Sequence, residues 1–428
     1  MLNVPRPEDT RLPEDAESTE ATGRAEHPAG SAGAPARSTT VARGRPLLAG
    51  ITTAAVGFAG SFALVLTGLR AVGADRRGAM SGLLLLCLAM CALSLWLGLR
   101  HRQPLSVAWS TPGAAVLIGA GHVAGGYRAA VGAFVVAGLL VMATGLWDWL
   151  GRRIAAVPVP IAMALLAGIL FPLCRAPVLA SVAFPARVLP IVGAWALLFR
   201  YARACAVPGA LLVAVGGVLL RHDAPLGSWH DLLARPEFTA PAFRPETLVG
   251  LAVPLYVITM AAQNLPGLAV LTHFGYRPPA RELLVTTGAS TVLIACGGGF
   301  MLNMAASTAA LVAGPEAGED RERRWIGAVT AAAVYGVFGL AAGLFAVLLG
   351  ATSPLVFQAV AGLALLDTLA SALTKALTGA PGGVPAAAVT FVVAASGVTA
   401  LHLTSAFWGL LAGLAVHGLM KSRAPEPR

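Results

Sequence analysis

The strongest constraint on this chain is a pattern of apolar runs, each near the length of a bilayer-crossing helix, separated by short polar gaps. A helix crosses the hydrocarbon core in about 20 residues. No water is available there, so every backbone N–H and C=O must find a partner inside the protein. Helix is therefore the default for each run, broken only where protein or water covers the break. Composition agrees with this reading. Of 428 residues, 57% are apolar and 12% charged, and mean hydropathy is +0.76. A soluble domain carries roughly a quarter of its residues as charges.

The runs fall near 47–72, 79–99, 105–121, 126–148, 154–174, 184–202 and 205–221. After a polar stretch at 222–245 they resume near 246–272, 281–296, 299–314, 325–350, 354–377, 384–401 and 403–420. The expected fold is an all-α polytopic membrane protein of about 14 spans in two inverted seven-span repeats, 47–221 and 246–420. Residues 1–46, rich in Pro, Gly, Ala, Glu and Arg, read as a disordered cytoplasmic tail, and 421–428 as a second short tail.

Charge fits that topology. The net charge of +10 is scattered in ones and twos between apolar runs, not gathered in an aromatic-studded stripe, which argues against nucleic acid. With the N-terminus inside, Arg100, Arg102, Arg152, Arg153, Arg321, Arg323 and Arg324 lie at cytoplasmic ends. Fewer bases, such as Arg76, Arg77 and Arg128, lie outside, as the positive-inside rule requires. The five cysteines sit in or beside apolar runs without metal-ligand spacing, so they read as packing residues. Neither a metal site nor a cofactor is expected. No Ser/His pair, paired acids or His-Glu-x-x-His cluster marks an intramembrane enzyme.

Two segments depart from plain spanning helix, one in the third run of each half. Pro104–Gly113 reads as an extended piece over 105–109, followed by a half-helix near Thr111 with Ser110 or Thr111 as N-cap. Gly297, Gly298 and Gly299 together disfavour helix, at about 1 kcal/mol each, which predicts extended backbone and a half-helix starting near Asn303. Half-helix starts at the bilayer midplane offer free N–H groups and positive dipole ends, which suit a carboxylate. The competing reading is a simple kink in packed helices. Gln263 and Asn264, inside an apolar span, are expected to face the bundle interior. Phe58, Trp109 and Phe300 are candidates for an aromatic wall. Asp367 is the clearest titratable group within a span and the candidate for proton coupling.

Ala108-Trp-Ser-Thr-Pro-Gly113, Gln263-Asn-Leu-Pro-Gly267, Gly298-Gly-Phe300, Asn303-Met-Ala-Ala306, Gly314-Pro-Glu-Ala317, Ala361-Gly-Leu-Ala-Leu365, Ser396-Gly397 and Ala406-Phe-Trp-Gly409 resemble the benzoate membrane transport (BenE-type) family. The motifs run in order from the third span to the last. The resemblance implies a bacterial inner-membrane secondary transporter importing a small aromatic carboxylate, benzoate first, with a proton. It also implies kinship with nucleobase and sulfate transporters, in which a core domain (spans 1–4 and 8–11) moves against a gate domain. In that fold short strands in spans 3 and 10 meet at the midplane, and a homodimer is compatible with it. Carried over, the site uses Ser110, Thr111, Gln263 and Asn303. Nucleobase relatives place an acid where Gln263 stands, and a neutral amide there favours an anion over a neutral base. Electrogenic or facilitative transport of another organic or inorganic anion is the alternative.

Overall fold

The computed structural model describes residues 39–220, 233–350, 354–378, 383–401 and 403–421. In chain order these form α1 (Thr39–Ala71), α2 (Arg76–His101), β1 (Val107–Trp109), α3 (Thr111–Ala120), α4 (Gly126–Leu146), α5 (Asp148–Ala155), α6 (Val159–Cys174), α7 (Ala176–Ala183), α8 (Pro185–Tyr201) and α9 (Ala206–Leu220). There follow α10 (Pro245–His273), α11 (Ala280–Ala295), β2 (Leu302–Met304), α12 (Ala306–Ala313), α13 (Trp325–Leu340), α14 (Ala342–Gly350), α15 (Pro354–Leu377), α16 (Gly383–Ala395) and α17 (Ser405–Lys421). Among the described residues six helical stretches are long and apolar enough to cross a bilayer.

Several boundaries differ from the sequence reading; the run expected at 384–401, for one, is helical only to Ala395. Helix begins at Thr39, ahead of 47; the rest of the expected tail, the last residues 422–428 and much of the 222–245 stretch lie outside the described residues. The run expected at 154–174 is preceded by a separate amphipathic helix, α5, and starts at Val159 once Pro158 has ended it. The run at 325–350 divides into α13 and α14 at Ala341.

The ends of these helices are set locally. Asp75 caps α2, accepting from the Gly78 amide at 2.7 Å. Arg102 closes the same helix in the left-handed region (φ 48°), its N–H donating to the Gly98 carbonyl. Inside α10, prolines set the geometry. Pro254 has no N–H for the Gly250 carbonyl, and the freed oxygen accepts from the Thr404 hydroxyl of the loop before α17, at 2.7 Å. The helix widens to π geometry over Leu248–Ala252 and again over Met260–Asn264, just before Pro266.

Packing joins the two halves of the chain. Helix α4 lies against α11, α2 against α13, and α6 against α15 and α16. Small residues let the backbones approach: a Cβ on Gly288 of α11 would meet Met142 N of α4 at 2.5 Å and Gly138 O at 2.8 Å. The connection into α10 is tied across the same end of the bundle. Glu237 N donates to Ser81 Oγ (2.8 Å), Thr239 N to Cys296 O (2.6 Å) and Ala242 N to Arg128 O (2.8 Å).

Gly288→Leu should therefore destabilise the α4–α11 contact by about 2 kcal/mol or more, read as a lower melting temperature in detergent. Gly216→Leu on α9, where a Cβ meets nothing within 4 Å, should leave the melting temperature unchanged. Equal effects of the two would contradict the packing described.

Candidate substrate site at the starts of two short helices

Strands β1 and β2 pair antiparallel in the register Val107↔Met304, Ala108↔Asn303 and Trp109↔Leu302, and all six residues are buried. The ladder continues one step further, with Ser110 N donating to Met301 O at 2.8 Å. A ribbon this short leaves N–H groups on its outer edges, which in a bilayer need partners. Side chains supply them. Val107 N donates to Ser94 Oγ on α2 (2.9 Å), Leu302 N to Thr291 Oγ1 on α11 (3.1 Å) and Met304 N to Asn264 Oδ1 on α10 (2.9 Å).

Each strand leads into a short helix, and the two helix starts are not alike. At α3 the Ser110 side chain accepts from the Gly113 amide (3.0 Å) and shares a 3.0 Å hydrogen bond with Thr259 Oγ1 of α10. Ser110 is fully buried, so its hydroxyl is committed to the cap. Thr111 is half-buried in the first turn. At α12 the N-cap is Ala305, which has no side-chain oxygen. The first-turn amides of α12 therefore have no capping side chain. Ser307 in that turn is exposed.

Asn303 lies in the middle of β2, not at the start of the half-helix as the glycine run suggests. The glycines form a turn after α11, with Gly298 at φ +90°, and extended backbone then continues to Ala305. Asn303 is fully buried, and neither its Oδ1 nor its Nδ2 has a hydrogen-bond partner. Each orphaned buried polar group costs about 1–3 kcal/mol. This unpaired carboxamide lies three residues before a helix start that no side chain caps.

Gln263 is half-buried on the π turn Met260–Asn264, which packs on β2 and on α6. Its neighbour Asn264 is fully buried and already employed: besides accepting from Met304 N, its Nδ2 lies 3.3 Å from Met260 Sδ. Asn264 thus braces the ribbon. The aromatic candidates separate. Phe58 and Trp109 pack together with ring centroids 5.7 Å apart, in a cluster with Phe62, Phe338 and Phe345. The Trp109 indole donates to Ser61 Oγ at 2.9 Å. Phe300 instead packs on Phe134 of α4, at 6.2 Å. Because side chains alternate along a strand, Trp109 and Asn303 project from opposite faces of the ribbon. Asp367 lies away from this ribbon on α15, with its side chain 57% exposed and its Oδ1 accepting from Arg203 Nη2 at 2.8 Å. Thr259 and Ser307 escaped the sequence reading; the only signal for Ser307 was its place after Ala305-Ala306, where a helix can start once the strand has ended.

Comparison with known proteins settles the family. A family profile described as "Benzoate membrane transport protein" matches residues 42–419. The chain belongs to this family. It is 34% identical over 385 residues to the inner membrane protein YdcO of Escherichia coli (strain K12), covering 86% of this chain and 93% of that one. It is 30% identical over 337 residues to the benzoate membrane transport protein of Acinetobacter baylyi (strain ATCC 33305 / BD413 / ADP1), covering 77% and 84%. Its fold is similar to the transmembrane domain of a cyanobacterium bicarbonate transporter, BicA (TM-score 0.54, 17% identity, 86% and 97% covered). It is also similar to the murine Slc26a9 anion transporter in the inward-facing state (TM-score 0.56, 13% identity, 88% and 68% covered). The protein is a multi-pass membrane transporter of the benzoate transport family, not an enzyme.

Asn264 and Asn303 should then respond to substitution in opposite ways. Asn264→Ala strands the Met304 amide and should lower unliganded stability by about 1–3 kcal/mol. Asn303→Ala removes two unsatisfied groups and should leave the unliganded melting temperature unchanged or higher, while uptake is lost. Equal thermal losses in the two variants would refute this division of roles.

Proposed function

We propose that the chain imports a small aromatic carboxylate, benzoate first, by proton symport across a bacterial inner membrane. One observation carries the reading: the uncapped start of α12, preceded by Asn303 with both side-chain polar atoms unpaired. A carboxylate accepts from the orphan amides and from the Asn303 Nδ2, and the positive end of the helix dipole favours its charge. The α3 start, occupied by its own Ser110, is the less receptive of the two. Gln263 and Thr111, both half-buried, complete the polar lining, and the aromatic cluster around Phe58 and Trp109, on the face of the ribbon opposite Asn303, is not part of it.

The full architecture proposed is fourteen spans in two inverted seven-span halves, 47–221 and 246–420, with both termini cytoplasmic. Matched devices support the repeat. In each half a strand is followed by a half-helix, and a hydroxyl from the preceding long helix, Ser94 or Thr291, holds the strand's first amide. Transport follows from movement of α1–α4 and α10–α14 against α5–α9 and α15–α17, carrying the site from one side to the other. A homodimer is the proposed assembly. Asp367 is the proposed proton carrier: its ion pair with Arg203 ties α15 to the turn before α9, and protonation releases that tie.

The second reading is electrogenic or facilitative transport of an anion without a proton. It is favoured by the separation of Asp367 from the ribbon and by the anion substrates in the names of the structural neighbours.

Uptake of radiolabelled benzoate into proteoliposomes, with and without an inward proton gradient, separates the two. Symport predicts accumulation that a protonophore abolishes, and Asp367→Asn should make uptake insensitive to the gradient. Uptake indifferent to the gradient in the wild type would support the second reading. No benzoate uptake at all would remove the substrate assignment.

A further inference from the structure

The far end of α12 carries a feature that the site as described does not use. Arg324, the residue before α13, is only 9% exposed. Its Nη1 donates to the carbonyl of Ala313, the last residue of α12, at 2.7 Å, and its Nε to the carbonyl of Gly318 at 2.8 Å. Among the described residues Arg324 has no carboxylate partner. The acids beside it in sequence are exposed, and two are engaged elsewhere: Glu319 with Arg45 and Asp320 with Arg323. A buried guanidinium held by carbonyl dipoles and the Tyr276 side chain, with no carboxylate beside it, is costly unless a negative charge lies within reach.

We propose that Arg324 is a positioning residue for the transported anion, acting through α12 by placing a buried positive charge on the axis of the helix whose other end receives the carboxylate. The assignment rests on the carboxylate reading of the site. A helix of eight residues is about 12 Å long. Across that distance through protein, a charge is screened far less than at the surface. Arg324 cancels the negative pole of α12, pins its last turn, and adds its own positive potential at the first turn. The other short helix provides the contrast. Neither short helix has a basic residue in its own last turn; Arg324 reaches the end of α12 from outside it, and α3 is capped at its start by its own Ser110.

The test is equilibrium binding of benzoate to the purified full-length protein in detergent, with Arg324→Lys, Arg324→Met and Arg324→Gln beside the wild type. Lysine keeps the charge but cannot reproduce the two-carbonyl fork; methionine and glutamine keep bulk without charge. The proposal predicts Kd weakened about tenfold in both neutral variants and largely retained in Arg324→Lys. A purely structural tether predicts that lysine loses as much as methionine, with binding following thermal stability. Unchanged Kd in a folded neutral variant, or equal loss in lysine and methionine, overturns the proposal. Should neither neutral variant fold, the lysine variant decides alone: retained affinity supports the charge role and a tenfold loss overturns it. Absence of benzoate binding by the wild type would remove the substrate reading itself, a result distinct from wild-type binding that ignores the charge at 324.

Discussion

The whole structure depends on the short antiparallel ribbon between β1 and β2. Open strand edges in a bilayer leave backbone groups without water, so such a ribbon exists only where neighbouring side chains complete it. Ser94, Thr291 and Asn264 do so from three different helices. Their hydrogen bonds fix the ribbon's register and tie α2, α10 and α11 to it. Two consequences follow from the same geometry. Chain that would otherwise continue as spanning helix is interrupted in the interior, and two helices are forced to begin there with unsatisfied amides.

Those two beginnings have been given different tasks. At α3 the protein satisfies itself through Ser110, which in turn is held by Thr259. At α12 it does not, and the nearby Asn303 carboxamide is kept unpaired in a fully buried strand. Stability lost at such a point is recovered by the packing around it. The asymmetry also bears on charge. A site built from a neutral amide and backbone dipoles, without a nearby acid, favours an anion over a neutral base. The Asp367–Arg203 pair, away from the ribbon, joins α15 to the turn before α9.

Much of this was legible in the sequence, for physical reasons. The bilayer imposes one length on every crossing helix, so the apolar runs could be read directly. Pro112 after Ser110-Thr111 marked a helix start, and the three consecutive glycines marked a place where helix cannot continue. Register was not legible: three-residue strands carry no periodicity, so Asn303 could not be distinguished from a helix cap. Nor were long-range pairings. Ser110 meets Thr259 across 149 residues and Arg203 meets Asp367 across 164, and no local pattern announces either. Phe300 carried the right chemistry for an aromatic wall, yet it packs on Phe134 of α4. Arg324 read as one more topology charge in a basic cluster, and only its burial and its two carbonyl partners separate it from Arg321 and Arg323.

The most direct test of the central claim is to locate the ligand's carboxylate itself. Crystals grown with 4-iodobenzoate would mark the ring by anomalous scattering and fix the carboxylate opposite the iodine. The account predicts the carboxylate oxygens within hydrogen-bond distance of the first-turn amides of α12 and of Asn303 Nδ2, with Ser110 still capping α3. A carboxylate bound at the α3 start with Ser110 displaced, or a ligand remote from both short helices, would contradict it.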